Sequence, residues 1–159
     1  MNRPYLICHM MTSVDGRIDC AMTEHLPGVQ EYYDTLDSLN APTRISGRVT
    51  AQLEMSKPGV FACEILKEEF GVQRAAVVGG GHINAAFLAD GLLDEVSILV
   101  GAGIDGRGGM AAVFDGLPMD RPVTPLKLTS VQQYGTGAVW LRYHTENKSV
   151  IARKGAALT

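Results

Sequence analysis

The chain has 159 residues, 46% of them hydrophobic, which suits one globular domain with a core of its own. Its 14 basic and 17 acidic residues leave a net charge of −3 without a basic run, so no electrostatic footprint for nucleic acid is visible and a small, discrete ligand is expected. Cys8, Cys20 and Cys63 lack an even count and CxxC spacing, which argues against a disulfide framework or structural zinc, while His9 and Asp15 interrupt the first apolar run too early for a signal peptide or membrane span; a cytoplasmic location is expected.

Residues 5–11 predict a buried central strand that ends at a ligand-facing loop, because an apolar run is followed by the turn-forming pair Asp15-Gly16. In 29–40, Val29, Tyr32, Tyr33, Leu36 and Leu39 recur at helical spacing with acids between them, and Pro42 ends the helix. Thr43 to Ser46 predict a brief strand entering Gly47-Arg48-Val49-Thr50, with helical composition from Ala51 to Met55. Ala62, Ile65, Leu66 and Phe70 form another helical stripe, closed by Gly71 where a left-handed cap is wanted.

A buried strand over 74–78 then runs into Gly79-Gly80-Gly81 and a helix beginning at His82-Ile83. Residues 96–100 predict a strand, Gly101 to Gly109 a glycine-rich irregular loop, and 126–134 with 138–143 a hairpin turned at Gly135-Thr136-Gly137. Strands alternating with helices and closed by a hairpin predict an α/β fold, a mixed and mostly parallel sheet flanked by helices with an antiparallel C-terminal hairpin. One domain over 1–145 is expected, with 146–159 as a C-terminal tail.

Three segments carry the chemistry. A glycine run between a strand and a helix lets a pyrophosphate approach the backbone where no Cβ intervenes, and the helix start supplies N–H donors; the same run also serves as a plain tight connection. The Rossmann spacing GxGxxG is absent, since Asn84 occupies its last position. Arg48 offers a fork-shaped guanidinium for phosphate and Thr50 a hydroxyl at a helix start, or else they are a surface arginine and an N-cap. Asp15, after Ser13 and Val14, faces a ligand, orients a water or stabilises its own turn. The four histidines lack metal-ligand spacing, no metal site is expected, and no nucleophile elbow is present.

Ser-Val-Asp-Gly at 13–16, Gly-Arg-Val-Thr at 47–50, Val-Val-Gly-Gly-Gly at 77–81 and Gly-Leu-Leu-Asp-Glu-Val at 91–96, in that order, resemble the C-terminal reductase domain of the bifunctional riboflavin deaminase-reductase, with a fold like that of dihydrofolate reductase. The resemblance spans residues 4 to about 143 and implies an NADPH-dependent reductase that passes hydride to a pyrimidine-like or carbonyl substrate. It further implies that Gly47, Arg48, Val49, Thr50, Gly79, Gly80, Gly81, His82 and Ile83 hold NADPH, that Ser13 and Asp15 sit beside the substrate, and that Asp15 is the carboxylate nearest the chemistry. The alternative is a non-catalytic dinucleotide-binding module of the same fold. A homodimer is expected in either case.

Two departures from that family stand out. Gly79 occupies a position that is typically a glutamate, and two strands of the family are missing where Phe61 runs into Ala62. The second departure predicts lost pairing in the centre of the sheet, to be supplied by residues omitted between 61 and 62 or by a partner subunit.

Overall fold

The computed structural model describes residues 2–47 and 63–146, with the backbone alone for 63–65. Among the described residues six strands and four helices follow one another as β1 (Tyr5–Thr12), α1 (Cys20–Thr23), α2 (Val29–Ser38), β2 (Thr43–Ile45), α3 (Cys63–Glu68), β3 (Arg74–Val77), α4 (Gly81–Ala89), β4 (Glu95–Val100), β5 (Leu126–Gln133) and β6 (Val139–Thr145). The strands form one sheet in the order β2-β3-β1-β4-β6-β5. β1 pairs in parallel with β3 and β4, and β2 with β3, whereas β6 runs antiparallel to both β4 and β5.

β1 is the spine because both of its faces are apolar, and every residue from Leu6 to Thr12 is buried. Ile7 and Met11 pack with Leu36 and Leu39 from the α2 segment, while Leu6, Cys8 and Met10 pack with Phe87 of α4 and Leu93. Helices therefore cover opposite faces of the sheet. Gly71 takes the left-handed conformation expected of it at φ 66°, and the Gly71 and Val72 N–H groups donate back to Lys67 and Leu66 to close α3.

The expected loss of central pairing does not occur. Thr43–Ile45 pair directly with Ala75–Val77, so the strands on either side of the join at Phe61 and Ala62 are neighbours, and pairing is continuous from β2 to β5. Among the described residues β2 is an outer edge, and an edge strand is dispensable to the middle of a sheet in a way that an inner strand is not. The join itself, the helical stretch over 51–55 and the tail over 147–159 lie outside the described residues.

Candidate nucleotide-binding cleft

The parallel strands β2 and β3 end side by side, and their exits make one wall of a cleft of about 660 Å³. Gly47, Gly79, Gly80, Gly81, His82 and Ile83 form this wall, with Met10 and Val78 beneath. Ile18, Asp19 and Cys20 complete the lining together with Gly109, Met110 and Ala111. A crevice beyond the carboxyl ends of parallel strands is where open α/β sheets bind ligands.

The glycines differ in what they do. Gly80 has extended backbone, φ −68° and ψ 179°, and caps the start of α4; a Cβ built on it meets nothing within 4 Å. It leaves room for a ligand group beside the first N–H groups of α4, which have no helical acceptor of their own. Gly79 has φ 130°, a left-handed value that disfavours any side chain, including the glutamate typical of the resembling family. Gly81 is required by the chain itself, because its Cβ would clash with the carbonyl oxygen of Ala112. Gly47 is pressed against the same run, donating its N–H to the Gly79 carbonyl at 2.8 Å and lying where a Cβ would stand 3.2 Å from Ile83.

His82 is exposed at the lip of the cleft, with its ring against Gly116, whose φ of 80° and lack of a side chain admit it. Arg48, Val49 and Thr50 lie outside the described residues.

Ser13 and Asp15 come together outside the cleft lining. Ser13 Oγ donates to Asp15 Oδ1 at 2.6 Å, and the N–H groups of Asp105 and Gly106 donate to the two carboxylate oxygens at 3.1 and 3.0 Å. These three donors, the Ser13 hydroxyl foremost, hold the Asp15 carboxyl well below the usual carboxylate range. Asp15 thus fastens the glycine-rich loop after β4 to the loop after β1, and the Val14 N–H adds a bond to the Gly103 carbonyl at 2.8 Å.

The rest of the lining comes from these same two loops. Arg17 Nη1 donates to the Met110 carbonyl at 2.8 Å, and the Ile18 N–H donates to Ala111 at 3.2 Å. Arg107 Nη2 reaches Asp19 Oδ2 at 2.7 Å while its Nε binds Asp105, and those two carboxylates raise the guanidinium above its ordinary value.

Met10, Ile18, Asp19, Cys20 and Met110 were not expected at the site from the sequence. A signal for them existed: β1 and β4 are parallel, so the loops that follow them emerge at the same end of the sheet as the glycine run. Among the described residues no helix is long and apolar enough to cross a membrane, and no cluster of metal-ligating side chains occurs.

A family model described as the RibD C-terminal domain matches residues 60–140, just over half of the chain. No curated protein matches by sequence. Among solved structures, a pyrimidine reductase-like protein from Corynebacterium diphtheriae superposes with a TM-score of 0.71 at 13% identity, covering 91% of this chain and 92% of that one. The riboflavin biosynthesis reductase of Saccharomyces cerevisiae gives 0.63 at 14% identity, with 91% of each chain covered. The diaminohydroxyphosphoribosylaminopyrimidine deaminase/5-amino-6-(5-phosphoribosylamino)uracil reductase of Thermotoga maritima gives 0.64 at 13% identity, covering 90% of this chain but 57% of that one. At such identities the superpositions establish the shared fold.

Proposed function

The chain belongs to the RibD C-terminal domain family, and from that premise we propose that it is an NADPH-dependent reductase acting on a pyrimidine-like or carbonyl substrate. The observation that carries this reading is the junction of Gly47 with Gly79–Gly81 at the start of α4, in one wall of a cleft large enough for a nucleotide. When bound there, the dinucleotide supplies the hydride; the protein supplies binding and orientation.

The described residues fit that cofactor. Gly80 keeps a pocket free of side chains beside the start of α4, and the N–H groups of Gly81, His82 and Ile83 favour an anionic group at that point. Arg48 and Thr50, expected at the next junction, would add a guanidinium and a hydroxyl for phosphate. The methionine and aliphatic side chains of Met10, Ile18, Val78 and Met110 make this part of the lining apolar and suit the face of a flat ring.

One observation favours the alternative of a non-catalytic dinucleotide-binding module: the Asp15 carboxylate, nominated for the chemistry, has its oxygens engaged by its own loops. The two readings separate in one series of measurements. Calorimetric titration with NADPH and NADH comes first, with Arg48→Ala as the control for phosphate recognition, followed by absorbance-monitored NADPH oxidation with 5-amino-6-(5-phosphoribosylamino)uracil and a panel of simple carbonyls. Binding with turnover supports the reductase, binding without turnover supports the module, and no dinucleotide binding overturns both.

The proposal includes a homodimer. Every residue of β5 is exposed, and Leu126, Leu128 and Val131 present apolar side chains at a sheet edge that is unpaired among the described residues and that a second copy would cover.

A further inference from the structure

We propose that Asp19 is the substrate-orienting carboxylate of the cleft, positioned by Arg107 to accept hydrogen bonds from the amino or hydroxyl donors of the substrate. This rests on the reductase reading above and assigns the end of the cleft that the substrate's donor-bearing part occupies.

Among the described residues Asp19 is the one carboxylate that lines the cleft. Its position in the chain would ordinarily direct it elsewhere. Asp19 stands immediately before α1, where an aspartate usually bonds a backbone N–H of the first turn, yet its side chain makes no such bond and only its backbone carbonyl receives the Met22 and Thr23 N–H groups. The carboxylate turns instead across the loop, where Arg107 Nη2 holds Oδ2 at 2.7 Å. A charged partner on one oxygen fixes the orientation of the group, leaving Oδ1 to accept from a ligand. One-third of the side chain remains exposed, so the group is accessible without being loose.

The lining of the cleft then carries groups of opposite polarity. The start of α4, with Gly80 and the N–H groups after it, favours an anion; Asp19, elsewhere in the lining, repels one and attracts donors. A ligand carrying phosphate and an amino-substituted heterocycle or sugar hydroxyls is held in one direction by this arrangement, its donors at Asp19 and its anionic part away from it. Asp15, whose oxygens are bound within the loops, does not serve this purpose. Arg107 is a positioning residue, acting through Asp19.

The test compares wild type with Asp19→Asn, Asp19→Ala and Arg107→Gln. Affinity for NADPH is measured by calorimetry; affinity for 5-amino-6-(5-phosphoribosylamino)uracil is measured in the same way on the NADPH-saturated protein, together with KM and kcat wherever turnover is detectable. Removing a charge-assisted hydrogen bond is expected to weaken pyrimidine affinity and raise KM by about 10-fold or more in both Asp19 variants, with a smaller effect in Arg107→Gln. NADPH affinity and kcat should stay within about threefold of wild type, the pattern of lost uniform binding. Parental pyrimidine affinity in both Asp19 variants overturns the proposal while leaving the reductase reading intact, and so does an equal loss of NADPH affinity, which would assign Asp19 to the cofactor. A wild-type protein that binds neither NADPH nor the pyrimidine overturns the reductase reading and this proposal with it.

Discussion

The N–H of Gly47 donates to the carbonyl of Gly79 at 2.8 Å. This bond brings two glycine-containing junctions, remote in the chain, into one wall of the cleft, because β2 and β3 are parallel neighbours whose carboxyl ends coincide. Neither junction has the spacing of a nucleotide fingerprint by itself; side by side they form a surface that a dinucleotide could span.

The glycine run separates binding from folding at adjacent positions. Gly80 has ordinary extended backbone and open space around it, so Gly80→Val should melt close to wild type while losing NADPH affinity by at least about 10-fold. Gly81→Ala should do the reverse of the first part, destabilising by about 1–3 kcal/mol through the clash of its Cβ with Ala112. Thermal denaturation and calorimetric titration of both variants check this; a Gly80→Val protein with parental NADPH affinity would remove the cofactor from this wall.

His9 should make the fold acid-sensitive. It is fully buried on β1 and stacked on Tyr32; Trp140 Nε1 donates to Ser97 Oγ at 2.8 Å, which leaves the Ser97 hydroxyl hydrogen for His9 Nδ1 at 2.9 Å, while Nε2 faces the Tyr32 carbonyl at 3.3 Å. Burial, aided by Arg142 and Arg44 and opposed by the bond to Tyr32, pushes the imidazole down from 6.5 to about 4. Between those values the unfolded chain binds more protons, so stability should fall as pH drops through this window, by on the order of 3 kcal/mol in total. Urea denaturation across the window measures the slope, and His9→Gln should flatten it.

Asp15→Ala should loosen the loop after β4. The side chain receives the Asp105 and Gly106 N–H groups, and with it gone those amides exchange with solvent faster by about 10-fold or more. Because the carboxyl is held below its usual range, its contribution is present at neutral pH and persists until strongly acid pH. Hydrogen exchange resolved to 101–109 is the measurement, and unchanged protection there would contradict the loop-fastening role.

The exposed edge at β5 predicts assembly. Light scattering should give the mass of a dimer for wild type, and Leu128→Glu combined with Val131→Glu should bring it to roughly half that mass without loss of helix content. A wild-type monomer would show that β5 stands alone in solution.

Much of the architecture was legible in the residues. The mostly apolar run at 5–11 identified a central strand, since a strand buried on both faces lacks alternation. Helical spacing identified α2, the turn Gly135-Thr136-Gly137 between two strand segments identified the final hairpin, and Gly71 marked the end of α3 because its left-handed backbone disfavours a side chain. The order of short motifs indicated the family. These are local properties, each written within a few consecutive residues.

The site was decided differently. That Gly79 needs left-handed backbone, that Gly81 answers to Ala112 rather than to a ligand, and that Gly80 alone of the three faces open space are consequences of what lies opposite in space. Asp15 and Asp19 are both acids in one polar loop; the glycine-rich loop after β4 engages the first and, through Arg107, directs the second. The pairing expected to be lost from the centre is likewise present among the described residues, because β2 pairs with β3. Sequence determined which segments form strands and helices, since propensity and burial pattern act along the chain. Tertiary structure decided which side chains meet at the cleft, since hydrogen bonds and steric contacts act across it.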